Sequence, residues 1–193
     1  IVDRQALQYA VRGRTPANKG PLVVDLDESD SMHDEQNVRD RRTWSKAAAV
    51  ALMRVAFEEK RRVAFVHFST SVVVRVIEPG DHAGLMDMVK HFLTGGTSIG
   101  LALEESARQV RLLAQKGDAG ADVVLITDGE DDRTQAQKNA LEALAATGAR
   151  LWILAIDQKI PPEHPLRKAC VSYTHLSEED MRSEKGVLSL AGV

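Results

Sequence analysis

The sequence predicts an α/β fold with a doubly wound, mostly parallel sheet of six strands and one antiparallel edge strand. Short apolar runs alternate along the chain with longer segments whose apolar residues recur at helical spacing. Parallel strands need helical crossovers of this kind. The strand-like runs 62–68 and 71–77 are too close together for a crossover, so they predict a hairpin that supplies the antiparallel strand. A length of 193 residues suits one domain.

The first half of the chain contains a leading segment, a strand, a helix and the hairpin. Residues 1–20 predict a short helix followed by a linker with Gly, Pro, Asn and Lys, so we place the α/β domain at 21–193. The apolar run 21–27 ends in polar residues, which indicates a buried strand. Residues 43–60 have apolar positions at helical spacing. Pro79 and the glycine after it end the hairpin.

The second half continues the alternation of helix and strand. Asp81 is a suitable N-cap for a helix that reaches Phe92, and a glycine loop then precedes a long helix ending near Gln115. Apolar periodicity and the positions of Gly and Pro define the remaining helices and strands, and three prolines interrupt the chain before the last strand. In order these elements are a strand at 122–127, a helix at 133–146, a strand at 149–156, a short strand at 171–175 and a helix from Ser177.

Composition excludes several classes of function. The net charge of −3 argues against nucleic-acid binding by counterion release. No apolar run approaches the roughly 20 residues that span a bilayer, so we expect no membrane partner and a cytoplasmic protein. The single cysteine, Cys170, allows no intrachain disulfide, and no Cys/His pair has the spacing of a zinc site.

Three polar clusters follow or precede predicted elements at one edge of the sheet. In a doubly wound sheet, ligands bind beyond the carboxyl ends of the strands, where the strand order reverses. The clusters are Asp27-Glu28-Ser29-Asp30-Ser31 after the first strand, Gly95-Gly96-Thr97 before the long helix, and Thr127-Asp128-Gly129-Glu130 after the fourth strand.

Carboxylates and hydroxyls are hard oxygen donors that suit Mg²⁺, Mn²⁺ or Ca²⁺. In Asp27-x-Ser29-x-Ser31, alternate side chains can turn toward one point as the strand opens into a loop. Two neutral hydroxyls beside few carboxylates leave a bound Mg²⁺ under-neutralised, so the ion attracts an external carboxylate. The small site and the two hydroxyls favour Mg²⁺.

Together, the three clusters resemble the metal-ion-dependent adhesion site of von Willebrand factor A-type (VWA) domains, with a match in order and spacing over roughly residues 20 to 180. The resemblance implies that Ser29, Ser31 and Thr97 are close metal ligands and that Asp27 and Asp128 act directly or through water. One coordination position remains for a Glu or Asp of a partner protein. The function implied is that of an interaction module and not of an enzyme. Candidates for contact with the partner are Asp30, His33, Gly96 and Glu130.

One position departs from the family pattern, since Asp30 stands where a glycine commonly separates the two serines. Glycine can adopt backbone angles that Asp disfavours. Asp30 also adds negative charge, which could tighten cation binding or repel an acidic partner, and a solvent-facing, incidental role is the simpler interpretation.

The segment Ser45 to Glu58, followed by 63–69, resembles a bacterial branch of the family, the CoxE-like group. Members of this group work with MoxR-type AAA+ ATPases. The resemblance implies an intracellular adaptor that couples such an ATPase to a target protein.

Two other functions remain open. Asp25 and Asp27 after an apolar strand resemble the Asp-x-Asp motif of haloacid-dehalogenase-type phosphatases, with Asp25 as nucleophile, Asp27 as general acid–base and Mg²⁺ as cofactor. Lys116 is poorly placed for that chemistry, and Ser31 and Thr97 are left without a role. A VWA-like scaffold with an inactive metal site is the third possibility.

Structural roles are the simpler interpretation for several other polar residues. We expect the buried Asp25 to pair with His67 of the neighbouring strand. The basic cluster Arg39, Arg41 and Arg42 predicts a solvated loop. Thr97, a candidate metal ligand, could instead be the N-cap of the long helix. The acidic run Glu130, Asp131 and Asp132 predicts a solvated start of the following helix.

Overall fold

The computed structural model of the chain describes residues 19–33, 41–115, 120–131, 133–177 and 179–180. Its strands are β1 (Leu22–Asp27), β2 (Val63–Phe68), β3 (Val72–Ile77), β4 (Asp122–Thr127), β5 (Arg150–Ile156) and β6 (Ser172–Leu176). Its helices are α1 (Arg41–Glu58), α2 (His82–Lys90), α3 (Ile99–Leu113), α4 (Thr134–Ala145) and α5 (Pro165–Ala169), and a 3₁₀ turn covers Asp30–Met32.

The six strands form one sheet in the order β3-β2-β1-β4-β5-β6. Every pair is parallel except the β2–β3 hairpin. β1 therefore lies between β2 and β4, and the loops that follow β1 and β4 leave the sheet side by side. This is the point where the strand order reverses, which is where doubly wound sheets bind their ligands.

Both faces of the central strands are covered, which explains why β1 and β2 are buried at every position. Helices α3 and α4 pack on the face that carries Val23, Val66 and Leu125. Helix α1 packs on the opposite face, where Ala48, Ala49 and Met53 are buried against the sheet. Small alanine side chains allow the helix to approach the strands closely. The central strands are mostly apolar along their whole length because water reaches neither face.

The predicted fold class and all six strands are confirmed, with strand ends displaced by at most one residue. Helix α5 was not predicted, because the prolines at 161–165 suggested only a break. Pro165 instead occupies the first turn of α5, where its missing N–H costs nothing. The predicted helix at the start of the chain, and all but a few residues of the one from Ser177, lie outside the described residues.

None of the helices within the described ranges has the length and apolar character needed to cross a membrane.

Candidate metal centre

Asp27 ends β1 with a buried carboxylate that is directed into the following loop. Its Oδ1 accepts hydrogen bonds from the backbone N of Ser29 at 3.0 Å and from Ser29 Oγ at 2.6 Å. Its Oδ2 accepts one from Thr127 Oγ1, at the end of β4, at 2.5 Å. Because Ser29 donates its hydroxyl hydrogen to Asp27, the lone pairs of Ser29 Oγ are left to face another group.

That group is the hydroxyl of Ser31, whose Oγ lies 3.0 Å from Ser29 Oγ. Neighbouring oxygens around an octahedral Mg²⁺ with bonds of 2.0–2.1 Å are roughly 2.9 Å apart. The two hydroxyls therefore already have the separation of adjacent ligands of such an ion.

A second loop is hydrogen-bonded to this one through Asp30. The backbone N of Asp30 donates to Gly95 O at 2.8 Å, and Gly95 N donates to Asp30 Oδ1 at 3.1 Å. Gly95 has φ +107°, and a Cβ there would lie 3.1 Å from Thr70 Oγ1, so only glycine suits this position. Asp30 is exposed but not incidental, since its carboxylate joins the two loops, and its backbone adopts the 3₁₀ turn without a positive φ.

Thr97 follows in the second loop and is not the N-cap of α3. The cap position is Ser98, and the first backbone N of the helix, that of Ile99, donates to Asp131 Oδ2 at 2.8 Å. The capping role considered for Thr97 is therefore wrong. Thr97 instead lines an open cleft with Glu130, Asp131 and Arg133.

Asp131 also corrects an expectation from the sequence. We expected an acidic start to the helix after β4, but α4 begins at Thr134 without an acidic residue in its first turn. Asp131 caps α3 instead, so it ties the third loop to the second.

Asp128 lies at the start of the third loop with its side chain fully buried. Its Oδ1 accepts a hydrogen bond from the backbone N of Glu130 at 3.1 Å. Gly129, with φ +81°, makes the turn, and a Cβ there would come within 2.8 Å of Ile160 Cγ1. The loop thus holds Asp128 inward, while the side chain of Glu130 is half-exposed.

Burial, and to a lesser extent the charge of Asp128, raise the pKa of Asp27 to about 7, despite the hydrogen bonds from Ser29 and Thr127 that favour its charged form. A nearby cation would favour the charged form instead. Within the described part of the chain, no three His, Cys, Asp or Glu side chains gather as a metal site. The donors here are two carboxylates and three hydroxyls, a set that fits a hard divalent cation.

Comparison with known proteins identifies the family. The model of the family described as VWA domain containing CoxE-like protein matches residues 4–169. The chain belongs to this family. It is 28% identical over 132 residues to an uncharacterized protein of Methanocaldococcus jannaschii, a match that covers 67% of this chain and 28% of that protein. The matched region thus spans little more than a quarter of that curated relative.

Solved structures confirm the VWA fold. A von Willebrand factor type A protein from Catenulispora acidiphila superposes with a TM-score of 0.68 at 17% identity, covering 91% of this chain and 42% of that one. Proximal thread matrix protein 1 from the mussel byssus, with a zinc-occupied MIDAS motif, superposes with a TM-score of 0.64 at 19% identity, covering 91% and 48%.

The exposed residues of this VWA domain that we proposed as partner contacts lie in the same three loops. Asp30 and His33 follow the first strand, Gly96 precedes Thr97, and Glu130 follows Asp128, and all four are exposed. The structure therefore brings the candidate ligands and the candidate contact residues to one edge of the sheet.

Arg41 is a member of the site that sequence analysis missed. The sequence predicts a solvated loop for Arg41 and Arg42, but both belong to α1, and Arg42 is buried. The Nη1 of Arg41 donates to Ser31 O at 3.0 Å and to Asp128 Oδ2 at 3.2 Å, and its Nη2 donates to Asp157 Oδ2 at 2.5 Å. The prediction of a solvated cluster is wrong for these two residues.

Glu28 is a second missed residue, and it is completely buried beside the metal loop. Lys46 Nζ lies 3.4 Å and His67 Nδ1 lies 3.2 Å from Glu28 Oε1. Lys46 Nζ also donates to the backbone O of Val89, and it lies 3.5 Å from the centre of the Phe92 ring. These contacts compensate a charge that burial would otherwise make costly.

The expected pair of Asp25 and His67 is wrong. In the β1–β2 register His67 lies opposite Leu26, so its side chain is on the other face of the sheet from Asp25. Asp25 is fully buried and accepts a hydrogen bond from Ser106 Oγ of α3. Burial raises the pKa of Asp25 well above its usual value. A carboxyl in this position is not accessible to a phosphate substrate.

Proposed function

We propose that this VWA domain is a divalent-cation-dependent protein-interaction module that binds an acidic side chain of a partner protein. Asp27, Ser29, Ser31, Thr97 and Asp128 hold the cation, either directly or through water. Mg²⁺ is the ion we favour, with Mn²⁺ or Ca²⁺ as alternatives. A free coordination position takes the partner's Glu or Asp.

The pair of hydroxyls at Ser29 and Ser31 is the observation that carries the proposal. Their 3.0 Å separation suits adjacent ligands of a small ion, and Asp27 fixes one of them through two hydrogen bonds. The hydroxyls carry no charge, so the two carboxylates can at most neutralise the charge of a divalent ion. The contact of Arg41 with Asp128 reduces that neutralisation further. An external carboxylate is the group such an ion attracts.

The partner contacts are proposed from exposure and position. Asp30, His33, Gly96 and Glu130 are the exposed neighbours of the candidate ligands. Two of the four are acidic, so they disfavour a strongly acidic partner surface and favour a single Glu or Asp surrounded by neutral or basic groups.

Membership of the CoxE-like family supports a narrower proposal for the partner. The domain acts as an adaptor for a MoxR-type AAA+ ATPase and presents its metal site to an acidic residue of the ATPase or of its target. Binding of a purified MoxR-type ATPase in Mg²⁺ that is lost in the metal chelator EDTA would support this assignment.

The phosphatase alternative is not supported by the geometry. Its nucleophile would be Asp25, which is fully buried beneath Ser106 and lies on the strand before the loop begins. A scaffold with an inactive metal site remains as an outcome of the experiment below.

Calorimetric titration with Mg²⁺, Mn²⁺, Ca²⁺ and Zn²⁺ tests the metal site. We expect Ser31→Ala to abolish Mg²⁺ binding or weaken it by at least roughly tenfold, because one close ligand is lost. Ser172→Ala, at the start of β6 and therefore at the opposite edge of the sheet, is the matched control and retains the unmodified affinity. Asp25→Asn also retains it. Equal affinities of Ser31→Ala and the unmodified domain for Mg²⁺ would refute the proposed ligand set. If neither protein binds a metal ion, the domain is a scaffold with an inactive metal site.

A further inference from the structure

Arg41 connects the loops of the candidate metal centre at the first residue of α1. One nitrogen, Nη1, contacts both the Ser31 carbonyl and the Asp128 carboxylate, and it lies 3.7 Å from Glu130 Oε1. The other, Nη2, contacts Asp157 at the end of β5. About a quarter of the Arg41 side chain is exposed. One guanidinium thus contacts the first and third loops of the site and a third point on the sheet edge.

Asp157, which accepts the hydrogen bond from Arg41 Nη2, has a backbone that is fixed by its own conformation and hydrogen bonds. It has φ +65°, a conformation that few residues other than glycine adopt. Its backbone N donates to Leu176 O at 2.7 Å, and its backbone O lies 2.9 Å from His175 Nε2. These two contacts with β6 hold the backbone of Asp157, the residue that Arg41 contacts outside the first and third loops.

The charge of Arg41 is permanent, since a guanidinium does not lose its proton in proteins. The side chain of Asp128 is fully buried, and a buried carboxylate is costly without a partner. Arg41 supplies that partner. It does so on the same carboxylate that we propose as a ligand of the divalent cation, directly or through water.

We propose that Arg41 is an internal cation of the metal centre, which stabilises Asp128 when no metal is bound and lowers the affinity of the site for divalent cations. The inference rests on the proposed function, because it concerns regulation of the same site. A divalent ion that enters must share Asp128 with a positive charge already in contact with it. Repulsion between the two cations weakens metal binding, and the site remains intact without metal.

Three variants test this role by calorimetric titration with Mg²⁺. Arg41→Gln removes the charge and keeps hydrogen-bonding capacity, and we expect it to bind Mg²⁺ about tenfold more tightly than the unmodified domain. Arg41→Lys keeps the charge but loses the second nitrogen that makes a separate contact. We expect its Kd for Mg²⁺ to stay within about twofold of the unmodified value. Arg54→Gln makes the same change of charge at an exposed position of α1, roughly 20 Å along the helix, and is the matched control.

Thermal unfolding provides a second readout if Arg41→Gln is unstable without metal. In EDTA this variant should melt below the unmodified domain, because Asp128 has lost its partner. The rise in melting temperature on adding Mg²⁺ should be larger in the variant than in the unmodified domain.

The possible results separate this inference from the proposed function. If Ser31→Ala loses Mg²⁺ while Arg41→Gln binds it no more tightly than Arg54→Gln, the site stands and the role of Arg41 is refuted. Binding by Arg41→Gln but not by the unmodified domain would support the role of Arg41 in its strongest form. If Mg²⁺ neither binds to nor stabilises the unmodified domain or Arg41→Gln, both proposals fail.

Discussion

Asp27 shows how a single residue can link protonation to the metal site. Its carboxyl is buried, and its pKa is raised from 3.8 to about 7 by loss of solvent. Between these two values the folded, metal-free domain binds a proton that the unfolded chain does not bind. The resulting stabilisation is fully present below the unfolded pKa and is lost as the pH rises through the folded pKa. Asp25, also buried with a raised pKa, shifts stability in the same direction.

We therefore expect the unmodified domain in EDTA to lose stability, relative to Asp27→Asn, between about pH 5 and about pH 8. The Asn side chain is neutral throughout and cannot contribute this dependence. Urea unfolding of both proteins at the two pH values measures the difference. A difference that is the same at both values would contradict the raised pKa of Asp27.

At the scale of secondary-structure elements, Glu28 attaches α1 to the end of β1. Lys46 of α1 lies 3.4 Å from the buried Glu28 carboxylate and also donates to a backbone carbonyl at the end of α2. His67 of β2 contacts the same oxygen of Glu28. Helix α1 is thus held at the site by ionic contacts of Arg41 with Asp128 and of Lys46 with Glu28.

Replacing Lys46 by Met should destabilise the domain by about 3 kcal/mol, at the lower end of the usual cost of leaving a buried charge unpaired, because His67 remains. Denaturant unfolding gives the free energy, with Lys90→Met as a control on an exposed lysine of α2. Adding Glu28→Gln to Lys46→Met should recover part of the loss. No recovery in the double variant would show that Lys46 acts through its contacts with α2 and Phe92 instead.

At the scale of the whole molecule, the sequence predicts best what depends on local pattern. The six strands, the hairpin and the positions of Asp27, Ser29 and Ser31 at the end of β1 followed from periodicity and from the behaviour of parallel sheets. The partners of buried charges did not follow, because they depend on which distant segments meet. Arg41 is 87 positions from Asp128 and 116 from Asp157, and no local signal distinguishes it from a solvated arginine.

The face of a strand residue is also hard to predict before the register is known. Asp25 and His67 are on adjacent strands, yet the register puts their side chains on opposite faces of the sheet. Glu28 continues the face of His67 and thereby takes the contact that we had expected for Asp25. A single position of register separates the two outcomes.

The central claim is that a bound cation gives this edge of the sheet an affinity for an acidic side chain. The most direct test is the Kd for Mg²⁺ measured with N-acetylglutamate amide present, against N-acetylglutamine amide as the uncharged match, at equal free Mg²⁺. We predict that the glutamate compound tightens Mg²⁺ binding in the unmodified domain and has no such effect in Ser31→Ala. If the two compounds give the same Kd in the unmodified domain, the cation does not bind a partner's carboxylate and the claim is contradicted.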